Sequence, residues 1–137
     1  MFARRRTLRV LIVDDDPHFA ELLAVLLAED PRLTVVGRAE DGADGVALAV
    51  RLRPDVVVMD VEMPVLDGVA AAHRIRRRLR ATRVVLVSGS DDPGVAARAW
   101  AADADAFVCK TDLQKLRVSV AGRRSVAFAF TPSVAAA

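Results

Sequence analysis

Cysteine occurs once, at Cys109, tryptophan once, at Trp100, and tyrosine not at all. A single thiol forms no intramolecular disulfide, so a reducing, cytoplasmic setting is expected. Aromatics make up 4% of the chain, too few for stacking platforms that grip single-stranded nucleic acid. The two histidines, His18 and His73, lack Cys or acidic neighbours at zinc-ligand spacing and read as surface residues. No long apolar run is present either. The basic N-terminus "MFARRRTLRVLIVDDD" resembles a signal peptide at first sight, but its apolar run is only about five residues and ends in three aspartates. No membrane span is expected. Nor is a polyanion partner: the net charge is only +2, and the sequence pI of about 9.3 mostly reflects arginine.

What is present is an alternation. Short β-branched runs at 8–13, 33–37, 55–60, 83–88 and 106–109 are each followed by a segment of helical period, at 17–30, 42–53, 68–80, 94–102 and 112–120. Phe19, Leu22, Leu23, Leu26 and Leu27 mark the apolar face of the first helix, and Pro17 suits its first turn. Pro54 stops the second helix. "DVVVMD" is the most continuous apolar strand, as befits a central strand covered on both faces. Five βα units of this kind predict an α/β fold, a flavodoxin-like doubly wound sandwich with a parallel sheet in order 2-1-3-4-5. Ligands of that fold sit beyond the C-terminal strand ends.

Polar residues gather at that edge. Strand one ends in Asp14, Asp15 and Asp16, strand three in Asp60, strand four in Ser88, and strand five is followed by Lys110. Strands one and three are neighbours in this order, so Asp14, Asp15 and Asp60 lie together. Two carboxylates about 4 Å apart repel by roughly 4 kcal/mol at an effective dielectric of about 20. Such a cluster needs raised pKa values or a cation, and hard oxygen ligands suit Mg²⁺. Lys110 stands out because only it and Lys115 are lysine among 20 basic residues. A compact ammonium on a flexible stem reaches a tetrahedral oxyanion. Asp16 alone reads as an N-cap.

Other features carry blander readings. The arginine runs Arg4–Arg6 and "HRIRRRLR" (73–80) read as solvated faces, the second near a helix C-terminus. Cys109 alternates on a buried strand and reads as core. "SVAFAF" (125–130) alternates like a strand and is taken as a frayed terminus.

Together, "VLIVDDDP", "VVVMDVEMPVLDG", "VVLVSGS" and "ADAFVCK" resemble, in order and spacing, the four motifs of response-regulator receiver domains of two-component signalling, in the single-domain, chemotaxis-regulator-like form. The resemblance covers residues 8–121, leaving 122–137 as a tail with no recognisable output domain. It implies that Asp60 is the phospho-acceptor for a histidine kinase or phosphotransfer protein. It implies Mg²⁺, with Mn²⁺ as a substitute, held by Asp14, Asp15, Asp60 and the Glu62 backbone carbonyl. Lys110 would pair with a phosphoryl oxygen, Ser88 would donate to it, and Phe107 would rotate inward. The surface formed by the fourth helix, fifth strand and fifth helix would then change toward an unidentified downstream protein. Pro64 and Gly68 bracket a structural turn, and Glu62 and Ser90 occupy positions that tune acyl-phosphate lifetime.

Three departures stand out. Thr111 replaces the proline many receivers carry after the lysine. Gly122 interrupts the fifth helix, in a region where receivers form homodimers or meet partners. The tail lacks the patterning of a helix-turn-helix domain, which argues against direct DNA binding. Two other functions share parts of this pattern: a pseudo-receiver that binds protein without phosphorylation, and a phosphatase with an Asp nucleophile. The second would leave Asp60 idle.

Overall fold

Val56–Asp60 (β3) and Arg83–Ser88 (β4) are buried along their whole length and form the middle of a parallel sheet. Leu8–Val13 (β1) and Leu33–Ala39 (β2) lie on one side of them and Ala106–Cys109 (β5) on the other. In this computed structural model, which describes residues 6–90 and 92–122, the order is β2-β1-β3-β4-β5, as the alternation predicts. The "SVAFAF" segment lies outside the described residues.

The strands carry apolar residues on both faces, so each face needs its own helical layer. Pro17–Ala28 (α1) and Leu113–Ala121 (α5) cover one face, closing a core of Val10, Ile12, Leu23, Leu27, Val58, Val85, Val87 and Leu116. Gly42–Leu52 (α2), Gly68–Arg78 (α3) and Pro93–Ala101 (α4) cover the other, around Leu11, Val13, Met59, Ile75, Val84 and Leu86. Burying each such side chain contributes about 1.5–3 kcal/mol, against the entropy of ordering it.

The two ends of the sandwich are chemically distinct. Among the described residues every helix starts on an aspartate cap: Asp16, Asp41, Asp67, Asp92 and Asp112 each accept a backbone N–H of the first turn. At the opposite end, arginines that open strands cap helix C-termini. The Arg9 guanidinium donates to the Leu52 and Arg53 carbonyls at 2.7 and 3.0 Å. Arg83, buried, donates to Ser119 O at 3.0 Å and Val120 O at 2.6 Å. Burial pushes the Arg83 pKa below its ordinary value, although Asp105 and Asp55 oppose the shift.

Several sequence expectations change in detail. Helix α1 ends at Ala28 rather than 30, because Asp30 turns the chain by accepting the Arg32 N–H and guanidinium. Leu22 is 49% exposed, since the arc from Phe19 to Leu27 is wider than the sheet contact it faces. Cys109 is only partly buried, its Sγ 3.2 Å from Thr111 Oγ1. Arg76 leaves the solvated arginine face, pairing half-buried with Asp105 at 3.0 Å.

Candidate functional site

Register brings the strand-end residues together. Val13 lies opposite Met59, so Asp14, next in the chain, is level with Asp60. Asp60 lies opposite Val87 and Ser88 opposite Cys109, and the Lys110 N–H continues the ladder to Ser88 O at 2.8 Å. The pleat then sorts them. Asp60 is in phase with Val56 and Val58, toward the α1–α5 layer, whereas Ser88 is in phase with Val84 and Leu86, toward the α2–α3–α4 layer. Phe107, half-buried, packs into that second layer as well.

Lys110 Nζ sits 2.8 Å from Asp14 Oδ2, 3.5 Å from Asp60 Oδ2 and 4.5 Å above the centre of the Phe19 ring. Asp14 and Asp60 are buried and Asp15 is exposed. Burial first, and then the Asp14 carboxylate, push the Asp60 carboxyl up to about 7, against the Lys110 ammonium and the Glu62 N–H, which donates to Asp60 Oδ1 at 3.4 Å. Burial lowers the Lys110 pKa, but Asp14 and Asp60 together outweigh it and leave the value above the ordinary one. Lys110 stays charged here.

The carboxylates offer oxygen atoms to a further cation. Asp14 Oδ1 accepts the Asp16 N–H at 2.8 Å, but Oδ2 is buried with no well-directed hydrogen bond, only the ion pair to Lys110. Carboxylate oxygens of Asp14, Asp15 and Asp60 lie within 4.8 Å of one another. Hard, crowded oxygen donors of this kind fit Mg²⁺. Around them the backbone is tight. Gly68 N donates to Val61 O at 2.9 Å, and a Cβ on Gly68 would overlap the Asp60 carbonyl, so α3 starts against the end of β3 only because this residue is glycine. In the intervening loop Val65 holds φ 69° with its side chain 85% exposed, which is strained backbone for a β-branched residue.

Ser88 is fully buried; its Oγ accepts the Ser90 N–H at 3.0 Å, which leaves its own proton to donate. Glu62 is exposed, beside the carboxylates it follows.

The sequence matches the response regulator receiver domain over residues 10–121. The chain belongs to this family. Among solved structures, the receiver domain of the putative response regulator NarL from Mycobacterium tuberculosis superposes with a TM-score of 0.78 at 34% identity, over 86% of this chain and 99% of that one. The response regulator domain of Thermotoga maritima CheB gives 0.77 at 31% identity, over 84% of this chain and 94% of that one. A protein-glutamate methylesterase/protein-glutamine glutaminase of Symbiobacterium thermophilum is 46% identical over 108 residues, 77% of this receiver and 30% of the relative. This receiver spans 23% to 30% of the length of the methylesterases it matches. A receiver is a signalling domain. Among the described residues no helix is long and apolar enough to cross a membrane.

Two features of the site had escaped the sequence reading. Phe19 appeared only as one of five apolar residues on a helix face, with nothing to connect it to a lysine 91 positions later. The left-handed Val65 was equally hidden, since a Pro-Val-Leu-Asp string does not disclose which residue turns.

Proposed function

We propose that Asp60 accepts a phosphoryl group from the phosphohistidine of a histidine kinase or phosphotransfer protein in the cytoplasm. An Asp60 carboxylate oxygen attacks phosphorus, the P–N bond to the donor imidazole breaks, and an acyl phosphate remains on this chain. The observation carrying this reading is the Asp60 carboxylate itself: buried at a strand end, 3.5 Å from a charged Lys110 and crowded by Asp14 and Asp15.

Asp14, Asp15, Asp60 and the Glu62 backbone carbonyl would hold Mg²⁺ or Mn²⁺, which supplies charge neutralisation to the transferring oxygens. Lys110 is held over Phe19, poised to pair with a phosphoryl oxygen. Ser88 donates its free proton to the phosphoryl group and draws the loop after β4 inward. Phe107 follows, and the α4–β5–α5 surface changes toward a downstream protein. The similarity to methylesterase receivers supports an effector protein, rather than DNA, as the reader of that surface.

The test is intact mass after incubation with Mg²⁺ and acetyl phosphate. One added phosphoryl group is expected, absent with EDTA and in Asp60→Ala. No addition in wild type would overturn the reading in favour of a phosphorylation-independent binding module.

A further inference from the structure

Away from the strand-end cluster, α2 and α3 enclose an open groove of about 810 Å³. One wall is Ala43, Val46, Ala47 and Val50, spaced i, i+3, i+4, i+7 along α2. Val46, half-buried, packs at the edge of the core that α2 closes through Gly45 and Ala49, and Ala43 and Ala47 carry the stripe on to the exposed side. The other wall is Arg74, Arg77 and Arg78 of α3, spaced i, i+3, i+4.

These three arginines are exposed and have no acidic partner among the described residues. Arg76 on the same helix shows what an internal role looks like: it turns to Asp103 and Asp105 at 3.5 and 3.0 Å. Like charges at i, i+3 and i, i+4 repel, and the helix C-terminus relieves this only over the last turn. A solvated arginine face accounts for one wall. It does not account for the aliphatic row that continues from the core edge at Val46 to the exposed Ala43 and Ala47 along the other.

We infer that the α2–α3 groove is a docking site for an acidic amphipathic helix of a partner protein. Such a helix lays its apolar stripe along Ala43–Val50 and its carboxylates against Arg74, Arg77 and Arg78. The small Ala43 and Ala47 permit close approach of a helix backbone. Residues 1–5 and 123–137 contain no acidic residue, and no helix among the described residues carries more than one, so none of these segments offers an acidic helix to three guanidinium groups. Nucleic acid fits less well, because an aliphatic wall offers phosphates no donors.

The experiment uses the full unphosphorylated chain, ¹⁵N-labelled, and a 16-residue helical peptide with leucine at i, i+3, i+4, i+7 flanked by glutamates. Amide shifts confined to 43–50 and 74–78 are expected. Arg74→Ala/Arg77→Ala/Arg78→Ala should weaken binding about tenfold, the combined size of three exposed ion pairs. The corresponding triple change to Glu should transfer preference to a peptide with lysine in place of glutamate. Unchanged intact-mass phosphorylation and thermal melts of both triple variants would verify their fold. Three results would each overturn the inference: no binding, shifts elsewhere, or equal binding of a peptide with the same residues scrambled out of the stripe. Tighter, arginine-dependent binding of a 16-base-pair DNA duplex would also overturn it, in favour of a polyanion surface.

Discussion

Arg83→Met tests whether a buried guanidinium holds the end of α5. Methionine keeps most of the aliphatic stem and removes only the charged fork, so packing loss is small. Two charge-assisted hydrogen bonds disappear, to Ser119 O at 3.0 Å and Val120 O at 2.6 Å. At about 1.5–3 kcal/mol each the gross loss is roughly 3–6 kcal/mol. Part returns because a guanidinium no longer has to be kept out of water, the same burial that lowers the Arg83 pKa. The net expectation is a loss of about 2–4 kcal/mol. In urea melts the midpoint should fall by roughly 1–2 M at unchanged slope. Arg83→Lys should recover less than half, because one ammonium cannot span both carbonyls as a planar fork does. A loss below about 0.5 kcal/mol, the range of ordinary surface changes, would refute the capping account. So would full recovery by lysine, which would reduce the interaction to a point charge near a helix end.

Three further outcomes are expected. In metal-free protein Asp60 holds its proton up to about pH 7 when folded but only to about 3.8 when unfolded, so between pH 5 and 7 the folded state binds more protons and stability falls as pH rises. Asp60→Asn should flatten that slope and be the more stable protein at pH 8 in urea melts with EDTA; a parallel slope in both proteins would discount the buried carboxyl as its source. Phe19→Leu should slow phosphorylation by acetyl phosphate roughly three- to tenfold while Phe19→Trp retains it, since a cation over an aromatic face contributes about 0.5–2 kcal/mol and leucine has no such face. Equal rates for all three would show that Phe19 merely fills space. Val65→Asn should raise stability by about 1 kcal/mol in the same melts, because asparagine tolerates positive φ and valine does not; a loss instead would mean that the valine side chain makes a contact that outweighs the strain.

The layout of the fold was legible because parallel strands buried on both faces leave a plain mark: between their first and last residues "DVVVMD" and "RVVLVS" admit no polar interruption. The gathering of Asp14, Asp15, Asp60 and Lys110 was legible for the related reason that strand order alone makes the ends of β1, β3, β4 and β5 neighbours. The pleat is implicit in the same strings: counting by twos from Val58 to Asp60 and from Leu86 to Ser88 already sets the Asp60 carboxylate and the Ser88 hydroxyl on opposite faces. The aspartate caps were half-legible. Asp16 was read as one, while Asp41, Asp67, Asp92 and Asp112 passed unremarked although each stands just before a helix. Arg83 was out of reach. An arginine opening an apolar strand looks like a solvated flank, and only the three-dimensional proximity of α5 gives its charge a destination.

The sorting of the strand-end residues onto opposite faces has a consequence for how a signal would travel. Asp60 and Lys110 belong to the α1–α5 side, Ser88 and Phe107 to the other, and the sheet between them is a wall of close-packed aliphatic side chains with no polar passage. The two sides meet in polar residues only at the rim, where the strands stop and Asp60, Ser88 and Lys110 end adjacent strands. On the proposed reading the output surface takes α4 from one layer and α5 from the other, so a change at Asp60 would reach both layers from the rim on which their strands end.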